Sequence, residues 1–129
     1  FGGQALRAAV TLSELCYDTL RQHAEPALAA VRERRVTDDV ERVVEATVLH
    51  SGLGFESGGL SISHAMTRGL SAVRGARDAL HGFQVAYALF VQFTLEGRPP
   101  AFLEDMRAFH RRVGLATTLA SLGMHDVTD

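Results

Sequence analysis

Along this chain the apolar residues recur at three- and four-residue steps, and no segment alternates with a period of two. A helix returns to the same face about every 3.6 residues and a strand every two. The pattern therefore predicts an all-α protein, a bundle of about six to seven helices around one core. At 129 residues the chain fits a single domain, residues 1–129, with enough length to bury a core.

Leu6, Ala9, Val10, Cys16, Tyr17 and Leu20 mark the buried stripe of a first helix over 6–20, with Cys16 as a small core filler. A short helix is expected to start at Pro26, whose absent N–H costs nothing in a first turn. Thr37 reads as the N-cap of the next helix, with Asp38 and Asp39 against its positive end and Val40, Val43, Val44, Thr47 and Val48 facing inward. Ser51–Leu60 holds four glycines in ten residues, which predicts a tight turn or a close backbone approach. A helix carrying His64 follows, then a polar loop over 74–78, then His81 at the start of a helix. That helix is apolar nearly all round from Phe83 to Leu95 and belongs in the middle of a bundle. Pro99 and Pro100 restart the chain. Phe102, Leu103, Met106, Phe109 and Val113 make a one-sided stripe, and Gly114 suits a C-cap.

Net charge is −2, so neither nucleic acid nor an anionic membrane is an expected partner. No apolar run is long enough to span a bilayer. A single cysteine makes no internal disulfide, which points to a reducing compartment. Phe1 opens the chain with neither an initiator Met nor a signal peptide, and Thr128-Asp129 reads as the N-cap of a further helix. Both ends are therefore expected to be internal to a longer protein.

The residues with most chemistry are His64 and His81, seventeen positions apart. No local metal motif has that spacing, and a histidine on an apolar helix is more often a hydrogen-bonded core residue. Glycines beside them, Gly58-Gly59 before His64 and Gly82 after His81, leave room for a metal and a substrate. Two imidazoles from two helices suit one divalent ion, with a carboxylate as third ligand. His23, His50, His110 and His125 read as surface or ordinary structural residues. Arg68, Arg74 and Arg77 suggest a phosphate site or, more simply, a solvated loop.

The run Ser-Gly-Leu-Gly-Phe-Glu-Ser-Gly-Gly-Leu at 51–60, His64-Ala65, Gly69-Leu70, His81-Gly82 and Val85-Ala86 resembles the glycerol dehydrogenases. These belong to the iron-containing alcohol dehydrogenase superfamily, relatives of dehydroquinate synthase. Leu15-Cys16-Tyr17 and Val113–Leu119 extend the likeness over nearly the whole chain. The resemblance implies the C-terminal helical, metal-binding domain of an NAD-dependent polyol dehydrogenase, a cytoplasmic homo-oligomer oxidising glycerol to dihydroxyacetone or a similar pair. It implies that His64 and His81 ligate zinc or iron, that Phe55 lies beside the substrate, and that an Asp ligand and the NAD-binding domain lie outside this sequence. The chain by itself is then expected to be inactive.

Thr67, Arg68 and Phe83 depart from the family pattern, which commonly has His, Asn and Glu there. Those departures put the surroundings of the metal, and glycerol itself as substrate, in question. Rival expectations are a superfamily member acting on a phosphorylated polyol or a dehydroquinate synthase-like substrate, and a non-catalytic helical binding module.

Overall fold

The computed structural model describes residues 4–125, and among them there are six α-helices and no strand. Phe1 and the Thr128-Asp129 cap lie outside the described residues. The chain divides into two compact units, residues 1–59 and 60–129.

The first unit is built from two long helical runs. Helix α1 covers Arg7–Arg32. Pro26 does not start a second helix but lies inside α1. One lost backbone bond is a local cost, and the alanines around it, Ala24, Ala27, Ala29 and Ala30, are the strongest helix formers. The buried face of α1 runs through Ala9, Cys16, Leu20, His23, Ala27 and Ala30, at steps of seven, four, three, four and three. Leu6, Val10 and Tyr17, expected inside, are exposed. After α1 the chain turns through Arg34, whose φ is +56°. Arg34 N–H donates to the Val31 carbonyl and Arg35 N–H to the Ala30 carbonyl, which caps the helix end.

Helix α2, Asp38–Glu45, starts as expected: the Thr37 hydroxyl accepts from the Val40 N–H, and Asp38, Asp39 and Glu41 fill the first turn. A π turn over Ala46–His50 carries α2 directly into α3, Ser51–Gly58. The glycine-rich stretch is thus helical rather than a loop, and only Gly59, with φ +79°, breaks it. Its glycines do provide close approach. A Cβ on Gly54 would sit 3.0 Å from the Ser13 hydroxyl, and one on Gly58 would sit 3.4 Å from Ala9 Cβ, both on α1.

The π turn also moves the buried stripe. Val40 and Val43 are half-buried, but the face then runs to Ala46 and His50, leaving Val44, Thr47 and Val48 exposed. Thr47 instead bonds its hydroxyl back to the Val43 carbonyl at 2.8 Å. The Ala46 carbonyl accepts the Ser51 N–H across the π turn and the Cys16 thiol from α1 at 3.4 Å. Burial pushes the Cys16 thiol pKa up, which leaves it a poor nucleophile and fits a structural role. His23 meets Asp39 at 2.7 Å and ties α1 to α2 a second time.

The second unit holds α4 (Ile62–Leu70), α5 (His81–Leu95) and α6 (Pro100–Val113). Here the stripes fall where the sequence puts them. Met106 and Phe109 are buried on α6, Pro100 is its first residue, and Gly114 caps it in the left-handed conformation. Phe90 and Phe93 of α5 meet His110 and Phe102 of α6 edge-on, with ring centres 5.0 and 5.1 Å apart. A second cluster of Ala76, Ala116 and Leu122 is packed by Leu70, Ala79, Phe83, Tyr87, Leu119 and Met124. It holds the 71–80 loop against the short 3-10 turn Ala120–Leu122. No described helix is long and apolar enough to cross a membrane.

Candidate metal centre

His64 lies in the first turn of α4 and His81 is the first residue of α5. The loop between them folds back, so residues seventeen apart in sequence come side by side. Their ring centres are 5.8 Å apart with the planes tilted by 53°. Two imidazoles bound to one zinc at tetrahedral angles place their ring centres about 5 Å apart. The observed pair is slightly wider. His64 is half-buried and His81 exposed, so one edge of the pair faces open space. A Cβ built on Gly82 meets nothing within 4 Å, so the backbone next to His81 is open.

Two neutral imidazoles form a nitrogen donor set suited to a borderline divalent ion such as Zn²⁺ or Fe²⁺. The described residues contain no group of three His, Cys, Asp or Glu able to hold a metal.

The hydrogen bonds around the pair are more specific than the sequence suggested. The Thr67 hydroxyl donates to the His64 carbonyl at 2.7 Å. Ser63, one residue before His64, is buried; its N–H donates to Gln92 of α5 at 3.2 Å, and its hydroxyl meets that of Ser61. Gln84, one turn after His81, is 2% exposed. Its amide accepts from the Ser71 hydroxyl at 3.2 Å and donates to the Ala76 carbonyl at 2.8 Å. Sequence reasoning passed over Gln84 and Gln92. Two amides inside an otherwise apolar helix were the available signal, since a buried amide needs partners.

The departures now have positions. Thr67 is buried and bonded to the turn that carries His64. Phe83 packs on the Ala76 cluster. Arg68, Arg74 and Arg77 are exposed. Phe55 is exposed on α3, in the first unit. His50 and His110 are buried and His125 is exposed.

No family model matches the chain. Among curated proteins it is 44% identical to a glycolaldehyde reductase of Halobacterium salinarum, over 95% of this chain and 34% of that protein. It is 42% identical to a glycerol dehydrogenase of Escherichia coli O6:H1, over 97% of this chain and 34% of the enzyme. Among solved structures, glycerol dehydrogenase from Schizosaccharomyces pombe superposes with a TM-score of 0.92 at 38% identity, over 98% of this chain and 32% of that one. The chain thus spans about a third of the length of these relatives.

Proposed function

We propose that this chain, a homologue of the glycerol dehydrogenases over about a third of their length, forms the metal-holding helical wall of an NAD-linked polyol dehydrogenase. The observation that carries the reading is the meeting of His64 and His81, from two helices, at 5.8 Å. Homology alone leaves the histidines' roles open. Side-by-side imidazoles, His81 among them exposed, support those roles.

In this reading the two imidazoles offer lone pairs from α4 and α5, and an Asp from the remainder of the protein completes three ligands. When bound, the metal supplies Lewis-acid chemistry, lowering the pKa of a substrate hydroxyl so that hydride can leave its carbon for the nicotinamide. The cofactor is held mainly by a nucleotide-binding domain outside this sequence. Phe55 is assigned beside the substrate on the motif alone. The assembled enzyme is taken to be a cytoplasmic homo-oligomer, on the family resemblance and the single reduced cysteine.

The natural test is a full-length enzyme carrying this sequence. His64→Ala and His81→Ala are each expected to lose the bound metal and to lower kcat/KM for glycerol by more than the roughly 10–100-fold typical of changes around a metal's ligands. Either variant keeping both metal and turnover sinks the assignment.

A second reading concerns direction and chain length. The 44% identity to a glycolaldehyde reductase makes a two-carbon hydroxyaldehyde, reduced rather than oxidised, the rival substrate. Comparing kcat/KM for glycolaldehyde with NADH against glycerol with NAD separates the two. Turnover of a phosphorylated polyol alone would favour the third expectation, with the arginines after His64 engaged.

A further inference from the structure

A run of hydrogen bonds leads from the His64 carbonyl to the buried Gln84 side chain, one helical turn from His81. The His64 carbonyl accepts from the Thr67 hydroxyl at 2.7 Å. The Thr67 carbonyl accepts from the Ser71 N–H at 2.9 Å, where α4 ends. The Ser71 hydroxyl then donates to Gln84 Oε1 at 3.2 Å, and Gln84 stands one turn from His81 on α5.

The amide's other end closes the loop. Gln84 Nε2 donates to the Ala76 carbonyl at 2.8 Å, in the middle of the segment that joins α4 to α5. A carbonyl can only accept, so this bond fixes which end of the amide is which. Ala76 is fully buried, and a Cβ on Gly75 next to it would lie 2.7 Å from the Gly123 carbonyl oxygen, so backbone packs closely beside the anchor point. Gln84 therefore clamps the end of the His64 helix and the intervening loop onto the start of the His81 helix.

We infer that Gln84 is the residue that positions His64 against His81, setting the spacing of the imidazole pair and through it metal affinity. This rests on the metal reading above. An apolar side chain of equal size would fill the same space in α5, yet it would leave the Ser63 N–H to Gln92 bond as the remaining side-chain tie described between α4 and α5. Groups that orient metal ligands without touching the metal commonly change affinity about 10–100-fold when removed.

The test measures zinc dissociation constants by chelator competition, and the visible spectrum of the cobalt-loaded protein, in the full-length protein. Gln84→Met keeps the volume and removes both bonds. The Ala76 carbonyl retains the Ala79 N–H at 3.1 Å, so the loop keeps a local bond. Gln84→Met is expected to weaken zinc about 10–100-fold and to shift the cobalt bands. Ser71→Ala, a change at an exposed hydroxyl, is expected to weaken zinc several-fold by itself and to add nothing in the Gln84→Met background. Should Gln84→Met fail to fold, Ser71→Ala carries the same test. A merely structural role would lower Tm while leaving zinc affinity and the cobalt spectrum unchanged below that Tm, and that result overturns the inference. His64→Ala and His81→Ala run alongside as the reference. If they also leave zinc affinity unchanged, the metal reading is what fails, and this inference falls with it.

Discussion

The two units of this chain solve the packing problem differently. Residues 1–59 bring helices together on small side chains: Ala9, Ala27, Ala30, Ala46 and Gly54 are buried, while Val10, Val44, Val48 and Leu49 face outward. Residues 60–129 add large ones, Phe90, Met106, Phe109 and Leu122, to the buried alanines Ala76, Ala86, Ala88 and Ala116. Glycine divides the same way. Gly54 and Gly58 are helical and face side chains of α1, whereas Gly75 and Gly123 sit at positive φ and face each other's backbone. A helix pair that meets on Ala and Gly gains closeness and hydrogen bonds such as the Cys16 thiol to the Ala46 carbonyl. A pair that meets on Phe gains buried area, about 25 cal/mol per Å² removed from water.

The difference is sharpest at the glycines, and the largest expected effect lies in the second unit. A Cβ on Gly75 would lie 2.7 Å from the Gly123 carbonyl oxygen, at a φ of +98°. Backbone cannot give way as a side-chain tip does, and the conformation is itself strained for any other residue. Gly75→Ala is expected to cost about 3 kcal/mol, read as a lowered urea midpoint by circular dichroism. A loss under about 1 kcal/mol would mean that the loop contact is soft.

The helical glycine of the first unit should be more forgiving. A Cβ on Gly54 would lie 3.0 Å from the Ser13 hydroxyl, which is held by the Ala9 carbonyl at 2.9 Å. Replacing Gly54 by Ala trades that crowding against up to about 1 kcal/mol of helix propensity, so the single methyl is close to neutral. Gly54→Val adds two more methyl carbons at the α1 face and is expected to cost about 2 kcal/mol. If Gly54→Val matched Gly75→Ala, the distinction between side-chain and backbone contacts would dissolve.

The same contrast explains what was legible in the sequence. Periodicity recovers the second unit well: α5, the Pro100 start, the Met106 and Phe109 stripe and the Gly114 cap all stand where the pattern puts them. There the periodic positions of α6 that carry large apolar residues, Met106 and Phe109, are buried, so hydrophobicity and burial coincide along that stripe. In the first unit they part. A stripe read from Leu6, Val10 and Tyr17, or from Val44 and Val48, follows hydrophobicity onto the exposed face. Small residues carry too little apolar weight to announce a core, and a π turn shifts the register in a way no period of 3.6 anticipates. Glycine content pointed rightly to close approach but wrongly to a turn, because composition does not say whether the approach is made by loop or by helix. At the histidines the motif supplied the pair, and the fold supplied their proximity. Gln84 went unread because the two amides of α5 signal a need for partners without saying which partners they have.

The smallest effect tests the outward valines of the first unit. Val48 is 72% exposed, on the π turn, although the periodic reading places it in the core. A buried valine replaced by alanine loses two methyl groups at about 0.8 kcal/mol each and leaves a cavity besides. An exposed one loses little transfer energy, and alanine is the better helix former by some tenths of a kcal/mol. Val48→Ala is therefore expected to change stability by no more than about 0.5 kcal/mol in the chain as described, measured by the same urea midpoint. A loss of 1.5 kcal/mol or more, roughly what burial of those methyls is worth, would show that this face is covered in solution. The small-residue account of the first unit would then describe only one of its two packed sides.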